Sequence, residues 1–218
     1  MDVYEALYTT RAMRRITPDP IPEDVQKRIL DAAVRSPSGG NQQAWRFMLI
    51  DDKQVIAALA PIYRRCLAQV WDLVYKERLI IANADPDEPE NAQTLRVQRS
   101  AQWLADHFEE YPLLLASFSQ SDPTGGSIHP ATWSAMLAAR AEGVGSAWTY
   151  AMVFELDPVL EILGVPKDEG WIFSSLVTFG YPTGVWGVAP RRPAHEVSYR
   201  NQWGQPVGFE IPEPLYPG

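Results

Sequence analysis

The stretch "SPSGGNQQAWRF", Ser36–Phe47, decides how this chain is read. A helical pattern ends just before it, and five small residues follow, among them Pro37, Gly39 and Gly40. Then come Asn41 and two further amides, and at once the strand-like run "WRFMLIDD". Two readings fit. A loop of small residues lets its own N–H groups approach a ligand closely, and the same residues also make an ordinary turn. The remainder of the chain has to choose between them.

Working outward, "PDPIPEDVQKRILDAAVR" carries a helix start. Pro22 suits a first helical position, Glu23 and Asp24 favour the positive helix end, and Val25, Ile29 and Ala33 recur at four-residue spacing. Asp2–Thr9 reads as a short helix. Trp45–Ile50 reads as a strand, and Gln54–Glu77 as a helix broken or kinked at Pro61. "NADPDEPEN" reads as an exposed acidic loop, with helix returning over Ala92–Phe108. "YPLLLASFSQ" is an apolar run of strand length. Ala131–Glu142 is a small-residue helix ended by Gly143 and Gly145, Asp157–Leu163 a short helix, and "WIFSSLVTFGYP" a central strand. From Pro182 onward prolines and glycines abound without periodicity, which is the composition of an arm that packs on a second copy of the chain. The class is α+β in one domain, 1–218.

The 218 residues suffice for one large core, and 46% hydrophobic content with 21% charge is that of a globular chain. A net charge of -8 argues against a nucleic-acid surface. The single cysteine, Cys66, allows no internal disulfide and reads as a small buried hydrophobe. The N-terminus has no apolar leader, and no run is long enough for a membrane span, so the expected location is the cytoplasm. His107, His129 and His195 lie far apart without metal-ligand spacing. There is no GxSxG elbow, no Walker A, and no third glycine for a dinucleotide fingerprint. An enzyme with so few reactive side chains fits chemistry carried by an organic cofactor.

In this acidic chain, basic residues gather near both ends: Arg11, Arg14 and Arg15 in "TTRAMRRIT", and Arg191 and Arg192 in "APRRPAH". Each cluster alone fits a solvated surface. Arginine's planar fork also suits phosphate, and a glycine loop can add backbone donors. Together the three segments point to an anionic, phosphate-bearing ligand.

The order of these motifs resembles the flavin-dependent nitroreductase family. "TRAMR" stands for the opening R-R-S-x-R pattern, keeping Arg11 and Arg14 but with Thr10 and Ala12 at the first arginine and the serine. Pro37, Ser38, Gly39, Gly40 and Asn41, then Gln43 and Trp45, match P-S-x-x-N and Q-x-W. Gly143, Gly145 and Ser146 match G-x-G-S, and "GYP" at 180–182 precedes "RRP" at 191–193. The resemblance implies a central, mainly antiparallel sheet surrounded by helices, a homodimer with an exchanged C-terminal arm (182–218), and FMN bound between the subunits.

It further implies that Arg11, Ala12, Met13 and Arg14 face the ribityl–phosphate end, with Ala12 offering only its backbone, and that Arg191 and Arg192 close on the phosphate. Pro37, Ser38, Gly39 and Asn41 would reach the partner's flavin, and Trp148, Thr149 and Tyr150 would lie along its ring. The implied activity is hydride transfer from NAD(P)H through FMN to a small electron-poor acceptor such as a nitroaromatic, quinone or enone. A flavin-sequestering protein and a flavin-fragmenting enzyme are the alternatives. The variable 62–110 region brings Tyr63, Trp71, Tyr75, Trp103 and Phe108, which read equally as an aromatic lid and as ordinary core.

Overall fold

The structure, a computed structural model, describes residues 1–216. Its centre is a five-stranded antiparallel sheet built of β1 (Ile16–Thr17), β2 (Trp45–Ile50), β3 (Leu113–Ser119), β4 (Gly145–Thr149) and β5 (Ile172–Pro182). The strands run in the order β1-β5-β3-β2, and β4 also pairs with β5. Every residue of β3 is buried. Its unbroken apolar run is explained by helices on both faces of the sheet, since such a strand has no solvent side to mark with polar residues.

Alternation sorts the side chains into two cores. Leu114, Ala116, Phe118, Phe173 and Leu176 pack with Leu59, Tyr63, Leu104 and Val159 of the layer formed by α3 (Lys53–Gln69), α5 (Pro89–Asp106) and α7 (Leu156–Ile162), and with Phe108 just beyond α5. Leu113, Leu115, Val177 and Phe179 pack on the opposite face with Ile29, Ala135 and Ala139 of α2 (Glu23–Ala33) and α6 (Ile128–Ala141). The α1 helix (Val3–Thr9) docks on α6 and leaves Val3, Tyr4 and Leu7 exposed.

Several expectations are corrected. Helix α3 is continuous through Pro61, and the break falls at Val70–Val74, a π-helical turn closed by Tyr75 N–H to the Val70 carbonyl (3.1 Å). The supposed loop over "NADPDEPEN" shrinks to Asp85–Glu88. α4 (Lys76–Ala84) runs into it, and α5 starts at Pro89, whose missing N–H costs nothing in a first turn, with the Glu88 carboxylate accepting from Asn91 N–H (2.8 Å). Gly143 (φ 76°) does end α6, but Gly145 already belongs to β4. Beyond β5, residues 183–216 hold one short 3-10 turn, Ala194–Val197, and expose Val185, Trp203 and Leu215. No described helix is long and apolar enough to cross a membrane.

Candidate active site

Two glycines seat the first arginine segment. A Cβ on Gly145 would stand 2.9 Å from Met13 Cβ, and one on Gly180 would stand 2.8 Å from Ile16 Cβ. Only bare backbone lets residues 12–16 lie this close to β4 and β5. Ala12 pairs with Ser146 as a parallel bridge, and Met13 N–H donates to the Ser146 carbonyl (2.9 Å). The Tyr111 hydroxyl donates to the Arg14 carbonyl, and Thr183 N–H to that of Arg15. Met13 is buried, so its side chain serves the packing, whereas Ala12 is exposed.

Arg14 is the unusual member. It is partly buried, donates from Nη1 to Ser100 Oγ (3.3 Å), and forms no ion pair among the described residues. Burial pushes its pKa below the ordinary arginine value, while the facing Tyr63 and Tyr111 phenols oppose that shift. Burial likewise pushes both phenols up, so each stays a neutral hydroxyl. A guanidinium carries five donors, and most of Arg14's have no partner here.

The second arginine segment lies beside the first. Arg11 Nη2 donates to the Val185 carbonyl (3.0 Å), and Ala189 N–H donates to that of Tyr8 (3.1 Å). Arg191 and Arg192 line a cavity of about 590 Å³ with Leu7, Tyr8, Ile211 and Glu213. A residue that sequence reasoning missed pins this region. Arg140 is buried, donates from Nε to Thr9 Oγ1 (2.8 Å), pairs with Glu5 (3.5 Å) and lies 4.1 Å over the Trp186 ring. The available signal was an arginine placed next to the apolar stripe Ala135, Met136 and Ala139 of its helix.

The strand end Trp148–Tyr150 presents three different surfaces. The Trp148 ring meets His129 edge-on (5.5 Å between centroids), and Tyr150 is exposed. Thr149 Oγ1 accepts from Tyr63 Oη (3.3 Å) and from Ala151 N–H (3.3 Å). With both acceptor positions occupied, its own O–H remains free to donate.

The Ser36–Gln43 loop is strained. Gly40, Asn41 and Gln43 all have positive φ (57°, 54° and 51°), which costs on the order of 1–3 kcal/mol at each of the two non-glycines. Ser38 Oγ accepts from Gln43 N–H (3.1 Å), Asn41 Oδ1 from Gln43 Nε2 (3.1 Å), and Ser127 Oγ from Gly39 N–H (3.3 Å). These bonds hold the loop in shape while Pro37, Gly39 and Asn41 stay exposed. The Asn41 amide hydrogens face no partner among the described residues.

The structure seats Ala12 and Met13 on β4 and lays Val185 and Ala189 against Arg11 and Tyr8. The cavity lined by Arg191 and Arg192 includes none of Arg11, Arg14 and β4, and Arg191 Nη1 donates to the Pro190 carbonyl (2.8 Å). The glycine loop joins the sheet elsewhere, through β2. Trp45 pairs with Ser119 and thence Ile172, whereas Ala12 bridges Ser146 and thence Phe179. Ile172 and Phe179 are seven residues apart along one strand, about 23 Å. Of the aromatic residues in 62–110, Tyr63 and Phe108 are core and stack at 4.7 Å, whereas Trp71 and Trp103 are half-buried and Tyr75 is exposed. Cys66 is fully buried. No cluster of three His, Cys, Asp or Glu among the described residues is arranged for a metal.

The half-buried unpaired Arg14 cation and the neighbouring Tyr63 and Thr149 hydroxyls fit a polar, anionic edge such as that of a flavin mononucleotide, while the exposed Asn41 amide stands on a separate segment. Comparisons with known proteins bear on the family and the fold. A 5,6-dimethylbenzimidazole synthase from Rhodospirillum rubrum is 30% identical over 83% of this chain and 82% of its own length. An NADH dehydrogenase from Thermus thermophilus is 27% identical over 90% and 95% of the two chains. The solved FMN-dependent nitroreductase of Mycobacterium smegmatis, in complex with NADPH, superposes with a TM-score of 0.65 over 91% of this chain and 97% of that one. At 20% identity that likeness speaks for the fold alone. The model of the nitroreductase family matches residues 7–181. The chain belongs to the nitroreductase family.

Proposed function

We propose that the protein is an FMN-dependent oxidoreductase that takes hydride from NAD(P)H and reduces a small electron-poor acceptor by a ping-pong cycle, acting as a homodimer. The observation that carries this reading is Arg14, a half-buried guanidinium without a carboxylate that faces the Tyr63 phenol, whose hydroxyl in turn donates to Thr149, in a segment seated by the close approaches at Gly145 and Gly180. FMN supplies the redox chemistry when bound, and no protein nucleophile is needed.

This chain's residues bind, orient and polarise. Arg14 would stabilise negative charge on the bound flavin by a cation already in place. Thr149, whose oxygen accepts from Tyr63, would offer its O–H as a donor to the same ligand. Arg11 and Arg191 take the phosphate, and Ala12 contributes backbone only. Pro37, Ser38, Gly39 and Asn41 would act on the partner's cofactor, since the strand pairings of Trp45 and Ala12 stand about 23 Å apart along β5. The exposed apolar residues of the tail, Val185 and Trp203 among them, supply a surface for that partner.

A flavin-fragmenting activity is the second reading, favoured by the 30% identity to the Rhodospirillum rubrum synthase. An anaerobic titration of the FMN-loaded protein with NADPH and with NADH tests both. The proposed function requires bleaching of the flavin absorption by one or both nucleotides and its recovery on adding menadione. A chromophore that no nicotinamide reduces, and that disappears with release of a benzimidazole when pre-reduced protein meets air, establishes the second reading instead.

A further inference from the structure

One face of α5 is basic in a chain whose net charge is -8. Arg96, Ser100 and Trp103 share a helix face by their spacing, and Arg99 stands one turn before Trp103. Arg14 reaches Ser100 (3.3 Å), and Arg15 lies over the Trp103 ring at 5.5 Å. On Trp103 the His107 imidazole stacks nearly parallel, 3.9 Å between centroids and 12° between planes, with Nδ1 at 2.8 Å from the Trp103 carbonyl.

None of Arg14, Arg15, Arg96 and Arg99 forms an ion pair among the described residues, whereas the ion pairs that exist engage Lys27, Arg28, Arg35, Arg64, Arg65 and Arg140. Arg96 donates only to the neutral Gln93 side chain (2.8 Å). Of the nearby carboxylates, Glu109 pairs with Arg64, Asp106 accepts from the neutral Gln102 Nε2 (2.8 Å) and keeps its charge, and Glu110 lies beside Tyr111. The patch therefore combines a half-exposed flat aromatic stack with four guanidinium groups that have no ion pair among the described residues. From Arg96 to Trp103 is seven residues of helix, about 10 Å.

We propose that this face binds the adenosine end of the nicotinamide donor and reads its 2′-phosphate, so that NADPH is preferred over NADH. The inference rests on the hydride-transfer reading above, which needs a dinucleotide to approach Arg14. The purine joins the Trp103–His107 stack, which is sequence-adjacent to the Arg14 contact at Ser100. Arg96 and Arg99 take the 2′-phosphate, and Arg15 covers the purine or the phosphate edge. Fixed positive charge here also concentrates an anionic substrate that the rest of the surface repels.

The test uses FMN-loaded protein and two probes that carry no nicotinamide, 2′,5′-ADP and 5′-AMP, titrated by calorimetry with tryptophan fluorescence in parallel. Charge-assisted contacts to the extra phosphate predict about ten- to a hundredfold tighter binding of 2′,5′-ADP. The preference should fall steeply as salt is raised. Arg96→Gln/Arg99→Gln should remove the preference, leaving 5′-AMP affinity and the bound-flavin spectrum unchanged. Failure of 2′,5′-ADP to bind, equal affinities for the two probes, or a preference that survives in the double variant would each overturn the proposal. Flavin reduction by the two dinucleotides is scored separately. If neither reduces the flavin, the proposed function falls whatever the probes do, and equal efficiency with both overturns the inferred preference for NADPH while leaving the proposed function standing.

Discussion

Gly145→Ala puts the seating of the arginine segment to a test whose size can be worked from coordinates. The new methyl would stand 2.9 Å from Met13 Cβ, 3.2 Å from the Gly180 carbonyl oxygen and 3.4 Å from Pro182 Cβ. Ordinary carbon contacts begin near 3.5 Å, so the segment must move by roughly half an ångström or more. Overpacking of this kind costs about 1–3 kcal/mol of stability. The motion pulls on the Met13 N–H to Ser146 bond and displaces both Arg11 and Arg14. Losing one charge-assisted contact to the cofactor, about 1.5–3 kcal/mol, would weaken FMN by about ten- to a hundredfold.

Urea unfolding of the apoprotein and fluorescence titration with FMN read the two effects separately. Met13→Gly removes the first clash, so the double variant should recover part of the lost affinity. Gly187→Ala is the control. A Cβ there meets nothing within 4 Å, and both readings should stay at wild type. A Gly145→Ala protein that loses stability but binds FMN normally would refute the placement of residues 11–14 against the cofactor.

Arg191→Ala should weaken FMN by about one to two decades and riboflavin little, because the proposed contact is to phosphate; equal losses for the two ligands would place Arg191 elsewhere. Arg140→Met removes a buried guanidinium from Thr9 and Trp186, and should cost about 1.5–3 kcal/mol in urea unfolding. A change below about 0.5 kcal/mol would show that this pin contributes nothing.

Much of the scaffold was legible because local signals agreed with the final packing. The α2 start is written in Pro22, Glu23 and Asp24, and β3 and β5 in apolar runs long enough to fill a buried strand. β1 was invisible because two residues beside "PDP" carry no period, and its pairing is made by Gly180 yielding space to Ile16. β4 hid within a glycine-bearing motif that reads equally as a turn. The early start of α5 was missed because an acidic, proline-bearing stretch suggests a loop until Pro89 is recognised as a first-turn residue capped by Glu88.

At the site the sequence picked out candidate segments but not their distance from one another. That distance is set by the β2–β3–β5 and β4–β5 registers, which no single segment encodes. Arg14's missing counterion and Thr149's two accepted bonds are equally tertiary facts. They depend on Ser100, Tyr63 and Ala151 arriving from other elements or beyond the strand end.

The central claim is that each FMN pocket joins the arginines of one chain to the glycine loop of the other. Complementation between two damaged chains measures this most directly. Arg11→Glu and Asn41→Trp should each be inactive as homodimers. In a mixed dimer one pocket inherits both lesions and the other neither. With equal co-expression and random pairing about half the dimers are mixed, so about a quarter of wild-type NAD(P)H-dependent activity should return. If mixed dimers form, as shown by two different affinity tags, and no activity returns, both segments act within one chain and the shared pocket is wrong.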